Sequence, residues 1–504
     1  MKLFMGLLFA GSVLICSAQK RTDPVIFGNS ILAENLSKDL HVVASAAFEG
    51  RETATAGQRM AAAYIEHFFK SLDLQPGNGS SFQLSFPAYQ DSLINASLNI
   101  NEDSFALFKD FDLSLANNYS ASFGSDQIVC AGYGISDSTT DDYQGLDVRG
   151  KIVLIRNGYP DGYVQQQLGR KHFNPYAKQD EAQEHGAIAL LVIQRDFPHP
   201  PISRKGNMYQ QVYRSVIRIP TLNVSENVAR AIMGADYDAA KNESVPVKTY
   251  SCNTWLLLNK ETNFLQSTDV LGYLEGSDLK DQLLVISAHY DHLGEQDGVI
   301  YYGADDDGSG TVSLLEIASA FSKAKAAGKG PRRSILFLAN SGEEKGLWGS
   351  AFYTDHPVFP LEKTTADLNI DMIGRTDPGR KKGDSNNYVY IVGDDKLSSE
   401  LHPLSVAVNH KYTRLELDYK FNDPQDPLRI YYRSDHYNFA RKGVPVIFYF
   451  DGIHRDYHRP TDTPDKINYD LLKKRARLVF YTAWEMANRV GEMKRDLPAV
   501  MSER

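Results

Sequence analysis

Five short apolar runs, at 283–288, 334–339, 366–370, 389–392 and 444–450, are mostly separated by stretches long enough for a helix. No other feature restricts the fold as much. An apolar run of this length without polar alternation reads as a strand buried on both faces, which is the situation of a parallel strand. Parallel neighbours need a crossover of a dozen or more residues, usually helical. The stretch 311–327 supplies one, with Val312, Leu315, Ala318 and Phe321 at helical spacing. The expectation is an α/β fold: a mixed, mostly parallel sheet covered by helices on both faces.

Two further regions precede these runs. Residues 36–74 read as two helices around a loop at Glu49-Gly50-Arg51, the second with an apolar stripe of Met60, Tyr64, Phe68 and Leu72 beside Ile65 and Phe69. From 82 to 111 the pattern is irregular and partly alternating, as for short strands. A separate module begins near Ala121, with strands expected at 151–155, 187–193 and 219–224 and a helix at 179–186. That makes a small α/β unit without a His/Asp/Glu cluster of ligand type. At 504 residues the chain exceeds the size at which single cores stop growing, which agrees with two domains.

The formal charge of −9 and the lack of a basic block argue against a nucleic-acid partner. Residues 1–18 run Met-Lys, an apolar stretch to Ile15, then Cys16-Ser17-Ala18, the layout of a cleavable secretory signal. Bulky Ile15 before Cys16 disfavours lipidation. No later run approaches the ~20 apolar residues of a membrane span, so an exported, periplasmic or extracellular protein is expected. Cys130 and Cys252 are too few for a disulfide scaffold and are read equally as a pair or as buried thiols.

The chemistry sits where the apolar runs end. Ser287-Ala288-His289-Tyr290-Asp291 closes the first; Gly303 to Gly310 (Gly-Ala-Asp-Asp-Asp-Gly-Ser-Gly), Glu343-Glu344, Asp371 and His458 follow. Open α/β sheets place their sites just beyond strand ends. Zinc takes imidazole nitrogen and carboxylate oxygen, and two ions in one site share a carboxylate. Five ligands are the minimum expected for such a site, and the chain offers His289, Asp306, Glu344, Asp371 and His458. Asp291 reads as the carboxylate that orients His289, with a turn or capping role as the alternative. His292 reads as a bystander, because adjacent strand side chains diverge. The same divergence separates Glu343 from Glu344: one to grip metal, the other to face water as a base, against the alternative of an acidic helix start. His458 lies in a turn-rich loop, 454–464, where His454 competes as a ligand; His436 reads as structural.

These segments resemble the co-catalytic di-zinc aminopeptidase family, the superfamily of bacterial leucyl aminopeptidases and glutamate carboxypeptidases. The resemblance runs through residues 287–292, 303–310, 340–350, 369–374 and 457–467, in that order. It implies the zinc-dependent exopeptidase fold and two zinc ions as cofactors. Asp306 would bridge them and be joined to Asp307 by a cis peptide. One ion would be held by His289, Asp306 and Asp371, the other by Asp306, Glu344 and His458. Glu343 becomes the general base, Asp291 supports the site, and Tyr457 resembles the tyrosine that stabilises an oxyanion in some members. Residues 145–154 and 185–189 resemble a protease-associated (PA) domain. The implied layout is a catalytic domain at 23–110 and 255–495 with a PA domain inserted at 115–250.

The expected function is a secreted zinc-dependent exopeptidase, an aminopeptidase acting on peptides. Carboxypeptidase, glutaminyl cyclase and a non-catalytic receptor-like protein are the alternatives. Tyr431, Tyr432, Arg433 and Phe450 are candidate pocket residues.

Overall fold

The computed structural model describes residues 23–160, 163, 176–198, 203–212, 216–240 and 246–498. The expected export signal at 1–18 lies outside them. The described residues form two compact units, one drawn from 23–85 and 268–498, the other from those between 86 and 267.

In the first unit the five apolar runs are strands: Leu279–His289, Arg333–Asn340, Thr364–Ile370, Tyr388–Val392 and Val446–Phe450. With the short strand Glu416–Asp418 at one edge, the order is Glu416–Asp418, Tyr388–Val392, Val446–Phe450, Thr364–Ile370, Leu279–His289, Arg333–Asn340. Leu279–His289 is parallel to both its neighbours, and Thr364–Ile370 is parallel to Val446–Phe450. Tyr388–Val392 is antiparallel to Val446–Phe450, and Val270–Leu274 adds an antiparallel strand beyond Arg333–Asn340. The sheet is mixed and mostly parallel, as expected.

Alternation along Leu279–His289 divides the core. Leu284, Ile286 and Ala288 pack into one cluster with Leu36, Leu40, Ile65, Phe69, Leu315, Phe321 and Phe480. These come from the helices Ala33–Val43, Ala56–Ser71, Gly310–Ala326 and Tyr469–Asn488. Leu283 and Val285 face the opposite way, toward Leu336, Leu338, Tyr353 and Phe439. Burial on both faces explains the apolar runs within these strands, and Ser287, Asp367 and Asn369, buried among them, satisfy one another, Ser287 Oγ lying 2.7 Å from Asp367 Oδ1 and 3.0 Å from Asn369 Oδ1.

The stripe expected on the Ala56–Ser71 helix is displaced by one position. Ala61, Ala62, Ile65 and Phe69 are its buried apolar side chains, Tyr64, Phe68 and Leu72 flank them, and Met60 is 39% exposed. Small Ala61 and Ala62 let the helix approach the core closely, which turns Met60 outward.

The second unit holds the parallel strands Ala121–Cys130, Ile152–Arg156, Ala189–Ile193 and Thr221–Val224, paired in that order, with helices Ala177–Glu184 and Glu226–Met233. The division at 85/86 and 267/268 differs from the expected 110/115 and 250/255. Instead of several short strands, residues 83–100 form one strand, Gln83–Ile100. Its Leu98 and Ile100, with Leu256 and Leu258 of the Lys248–Leu274 strand, share a core with Phe111, Ile128 and Leu222. The buried area therefore belongs to the second unit, a fact of pairing that the alternation alone does not carry. Cys130 and Cys252 are free, buried thiols, and burial pushes Cys130 up to about 12. Among the described residues no helix is long and apolar enough to cross a membrane.

Candidate metal centre

Every strand that reaches the site ends there. His289 is the last residue of its strand and pairs in register with Asn340, the last of its own. Asp371 directly follows Thr364–Ile370. Glu343 and Glu344 lie in the loop between Arg333–Asn340 and the helix Trp348–Asp355.

Asp306 stands at the centre. Its Oδ1 lies 3.3 Å from His289 Nε2, and its Oδ2 lies 3.1 Å from His458 Nε2. The two carboxylate oxygens of one residue thus face two separate groups. On the first side His289 Nε2 is also 3.6 Å from Asp371 Oδ1; on the second His458 Nε2 is 3.1 Å from Glu344 Oε2. His289, Asp306 and Asp371 are all buried, and their donor atoms lie within 4.8 Å of one another. The second grouping of this kind is His292, Asp306 and Glu344.

Local structure holds Asp306 in place. The Asp306–Asp307 peptide is cis. Asp462 Oδ2 accepts from the backbone N–H groups of Asp305, at 2.9 Å, and Asp306, at 3.2 Å. Asp307 Oδ1 accepts from the N–H of Gly310 and of Met372, tying the loop to the start of the Gly310–Ala326 helix and to the residue after Asp371. Gly303 is left-handed at φ +56°, and a Cβ there would lie 2.3 Å from the Asp306 carbonyl oxygen and 2.4 Å from the His292 ring. Only glycine fits.

Asp291 contacts the elements expected of it by a different route. Its carboxylate accepts from Thr53 Oγ1 at 2.7 Å and from the Glu343 N–H at 3.2 Å. The His289 Nδ1 is closer to the Asp291 carbonyl, 3.2 Å, than to its carboxylate, 3.7 Å. Tautomer control therefore runs through the backbone, while the carboxylate positions the loop that carries Glu343.

His292 differs from its sequence reading. The ring is fully buried, and Nδ1 lies 2.8 Å from Glu344 Oε1. Side-chain alternation stops where the strand stops, at His289, so the divergence expected of strand neighbours does not reach residue 292. His454 points away from the two groupings, to Asp305 Oδ2 at 3.1 Å. His436 is buried between the rings of Phe448 and Tyr431, and burial lowers it to about 3.

Arg51 had no sequence signal beyond a loop position. It is fully buried, and its guanidinium donates to the carbonyls of Tyr290, Val43, Tyr302 and Gly303 at 2.7–2.8 Å. Burial lowers it to about 10, against the raising effect of Asp291, Asp307, Asp306 and Asp462. It closes the floor beneath the acidic cluster.

Burial raises Glu343 well above the usual carboxylate range, and the charges of Glu344 and Asp371 push the same way against His289. Glu343 Oε2 is 4.0 Å from His289 Nε2. Burial and Asp306 push Glu344 up as well, but the imidazoles of His292 and His458 beside it bring it below its ordinary value. The Tyr457 ring stacks on His458 at 3.9 Å between centroids, and Arg433 Nη2 donates to its hydroxyl at 3.1 Å.

The donor chemistry fits zinc. His289 Nε2, Asp306 Oδ2 and Glu344 Oε1 are buried without a hydrogen-bond partner, and buried polar atoms without partners are rare unless something else satisfies them. Imidazole nitrogens and carboxylate oxygens are zinc's ligand types, and the double-faced Asp306 suits a shared ligand. The cavity beside these groups is lined by Asp306, Glu343 and Asp371 with Met372, Ile430, Phe448, Phe450, Ile453, Arg433 and Tyr457. Arg433 and Phe450 line it as expected, whereas Tyr431 and Tyr432 pack against each other and Tyr437.

Residues 269–483 match the model of peptidase family M28, and residues 118–232 match the PA domain. A vacuolar membrane protease of Tuber melanosporum is 30% identical over 194 residues, 37% of this chain and 19% of that protein. A probable leucine aminopeptidase of Arthroderma otae is 30% identical over 213 residues, 41% of this chain and 55% of that one. The chain thus spans about half the second relative's length and a fifth of the first's. Its fold is similar to that of an aminopeptidase from Aneurinibacillus sp. strain AM-1, with TM-score 0.54 and 19% identity over 94% of this chain and 98% of that one. A zinc aminopeptidase from Bacillus subtilis gives TM-score 0.53 at 19% identity, over 93% and 97%.

Proposed function

We propose that this chain, which belongs to peptidase family M28 and carries an inserted PA domain, is an exported aminopeptidase that hydrolyses the N-terminal residue of peptides with two zinc ions. One observation carries the reading: the two oxygens of Asp306 face separate His/carboxylate groups, 3.3 Å from His289 and 3.1 Å from His458. Export rests on the make-up of residues 1–18.

His289, Asp306 and Asp371 would hold one ion, and Asp306, Glu344 and His458 the other, with His292 Nδ1 2.8 Å from Glu344 Oε1. Bound zinc supplies Lewis acidity and lowers the pKa of water at the site. Glu343, half-buried and without a place in either ligand group, takes a proton from the attacking water. It returns that proton to the leaving nitrogen as the peptide bond breaks. Because Arg433 donates to a lone pair of the Tyr457 hydroxyl, the phenolic proton is free to bond the oxyanion of the tetrahedral intermediate. Asp291 and Thr53 hold the Glu343 loop. Retention of a base and a complete ligand set favours hydrolysis over glutaminyl cyclisation or a receptor role.

The test is the purified mature chain with its metal content measured, assayed on aminoacyl anilides, N-blocked peptides and peptides beginning with Gln. Release of free N-terminal residues, with two zinc ions per chain, is expected. Cleavage confined to N-blocked peptides would make it a carboxypeptidase, and pyroglutamate as sole product a cyclase.

A further inference from the structure

Of the residues lining the cavity beside Glu343, Arg433 is the only cation. The other walls are the metal-facing carboxylates Asp306 and Asp371, the base Glu343, Tyr457 and a set of apolar side chains, Met372, Ile430, Phe448, Phe450 and Ile453. Arginine has five N–H donors in a planar fork. Among the described residues Arg433 forms no ion pair; its side-chain contact is the single hydrogen bond to the Tyr457 hydroxyl, at 3.1 Å. Arg433 is thus an exposed cation beside the cleft with no carboxylate partner among the described residues, and its remaining N–H donors are open to an anionic group of the substrate.

Resting on the di-zinc peptidase reading, we propose that Arg433 is a specificity-determining residue that binds a substrate carboxylate next to the scissile bond. Two divalent ions would offset the carboxylates of Asp306, Glu344, Asp371 and Glu343. The guanidinium then gives the cavity its net positive charge. Carboxylates are the anions of unmodified peptides, and an arginine fork bonds them with two parallel, charge-assisted hydrogen bonds. The apolar walls suit the methylene stem of such a substrate. The carboxylate has two sources in a peptide: the side chain of an N-terminal Glu or Asp, or the C-terminus of a dipeptide. Lysine or arginine at the same place would meet a like charge.

The experiment compares isosteric pairs on the zinc-loaded protein: Glu-anilide with Gln-anilide for the side chain, and Leu-Gly with Leu-Gly amide for the terminus. A kcat/KM advantage of about tenfold or more for the charged member of at least one pair is expected, and the pair that shows it identifies the source. Arg433→Met should abolish that advantage. Calorimetric binding should likewise favour the anionic product of that pair, free Glu over free Gln or free Gly over glycinamide, and lose the preference in the variant. Tyr457→Phe, which removes the hydrogen-bond partner of Arg433 among the described residues, should slow every substrate while keeping the ratio. Equal rates within both pairs, or a preference that survives Arg433→Met, would overturn the proposal. Failure to cleave any of the four substrates or Leu-anilide would instead refute the peptidase reading.

Discussion

Glu343 and Glu344 are adjacent and both half-buried, yet they face different partners: Glu344 has His292 and His458 at 2.8 and 3.1 Å, whereas Glu343 has no cation within that range. This difference separates a ligand from a base. Glu343→Gln removes proton transfer without removing a ligand. It should keep both zinc ions by elemental analysis while kcat falls about 10²- to 10⁴-fold. His458→Ala is the opposite case. It should lose one zinc ion along with turnover, leaving the ion at His289, Asp306 and Asp371. The types of these side chains are legible in the chain because zinc accepts few donors. Which of two neighbouring residues turns inward depends on where a strand ends, and that hid His292.

At the scale of elements, helix periodicity located the Ala56–Ser71 helix but misplaced its buried face by one residue. Ile65→Ala should therefore cost about 2–5 kcal/mol, whereas Met60→Ala should stay within ~0.5 kcal/mol, both read from denaturant melts. A reversal of that order would restore the face expected from spacing. Arg51 joins elements that are remote in sequence: its donors reach the carbonyls of residues 43, 290, 302 and 303. Arg51→Ala would leave those carbonyls buried without partners, and a loss of roughly 3 kcal/mol or more is expected. Metal content should fall with it, since Gly303 begins the Asp306 loop.

For the whole molecule, the first unit concentrates Asp306, Glu343, Glu344 and Asp371 at one end of a buried sheet. Such carboxylates repel one another, and ligands that bind only the native state stabilise it by mass action. Chelation should lower the melting temperature of the unfolding step that belongs to this unit, and zinc should restore it. A melting curve that ignores chelator would count against a structural contribution from metal. Cys130 and Cys252 belong to the other unit, where their burial as free thiols resolves the choice that two cysteines in a sequence leave open.

The order of apolar runs and helical stretches determined the α/β class, because burial on both faces permits little else in those segments. The same runs placed His289 and Asp371 at strand ends, since polar residues resume where the sheet stops. Tertiary structure alone decided the rest: where one unit gives way to the next, which face of a helix is buried, how Asp462 and Arg51 hold the Asp306 loop, and how Arg433 reaches Tyr457. Those contacts join residues up to about 250 positions apart. No local pattern encodes them, because hydrogen bonding and packing are satisfied by proximity in space, whatever the distance along the chain.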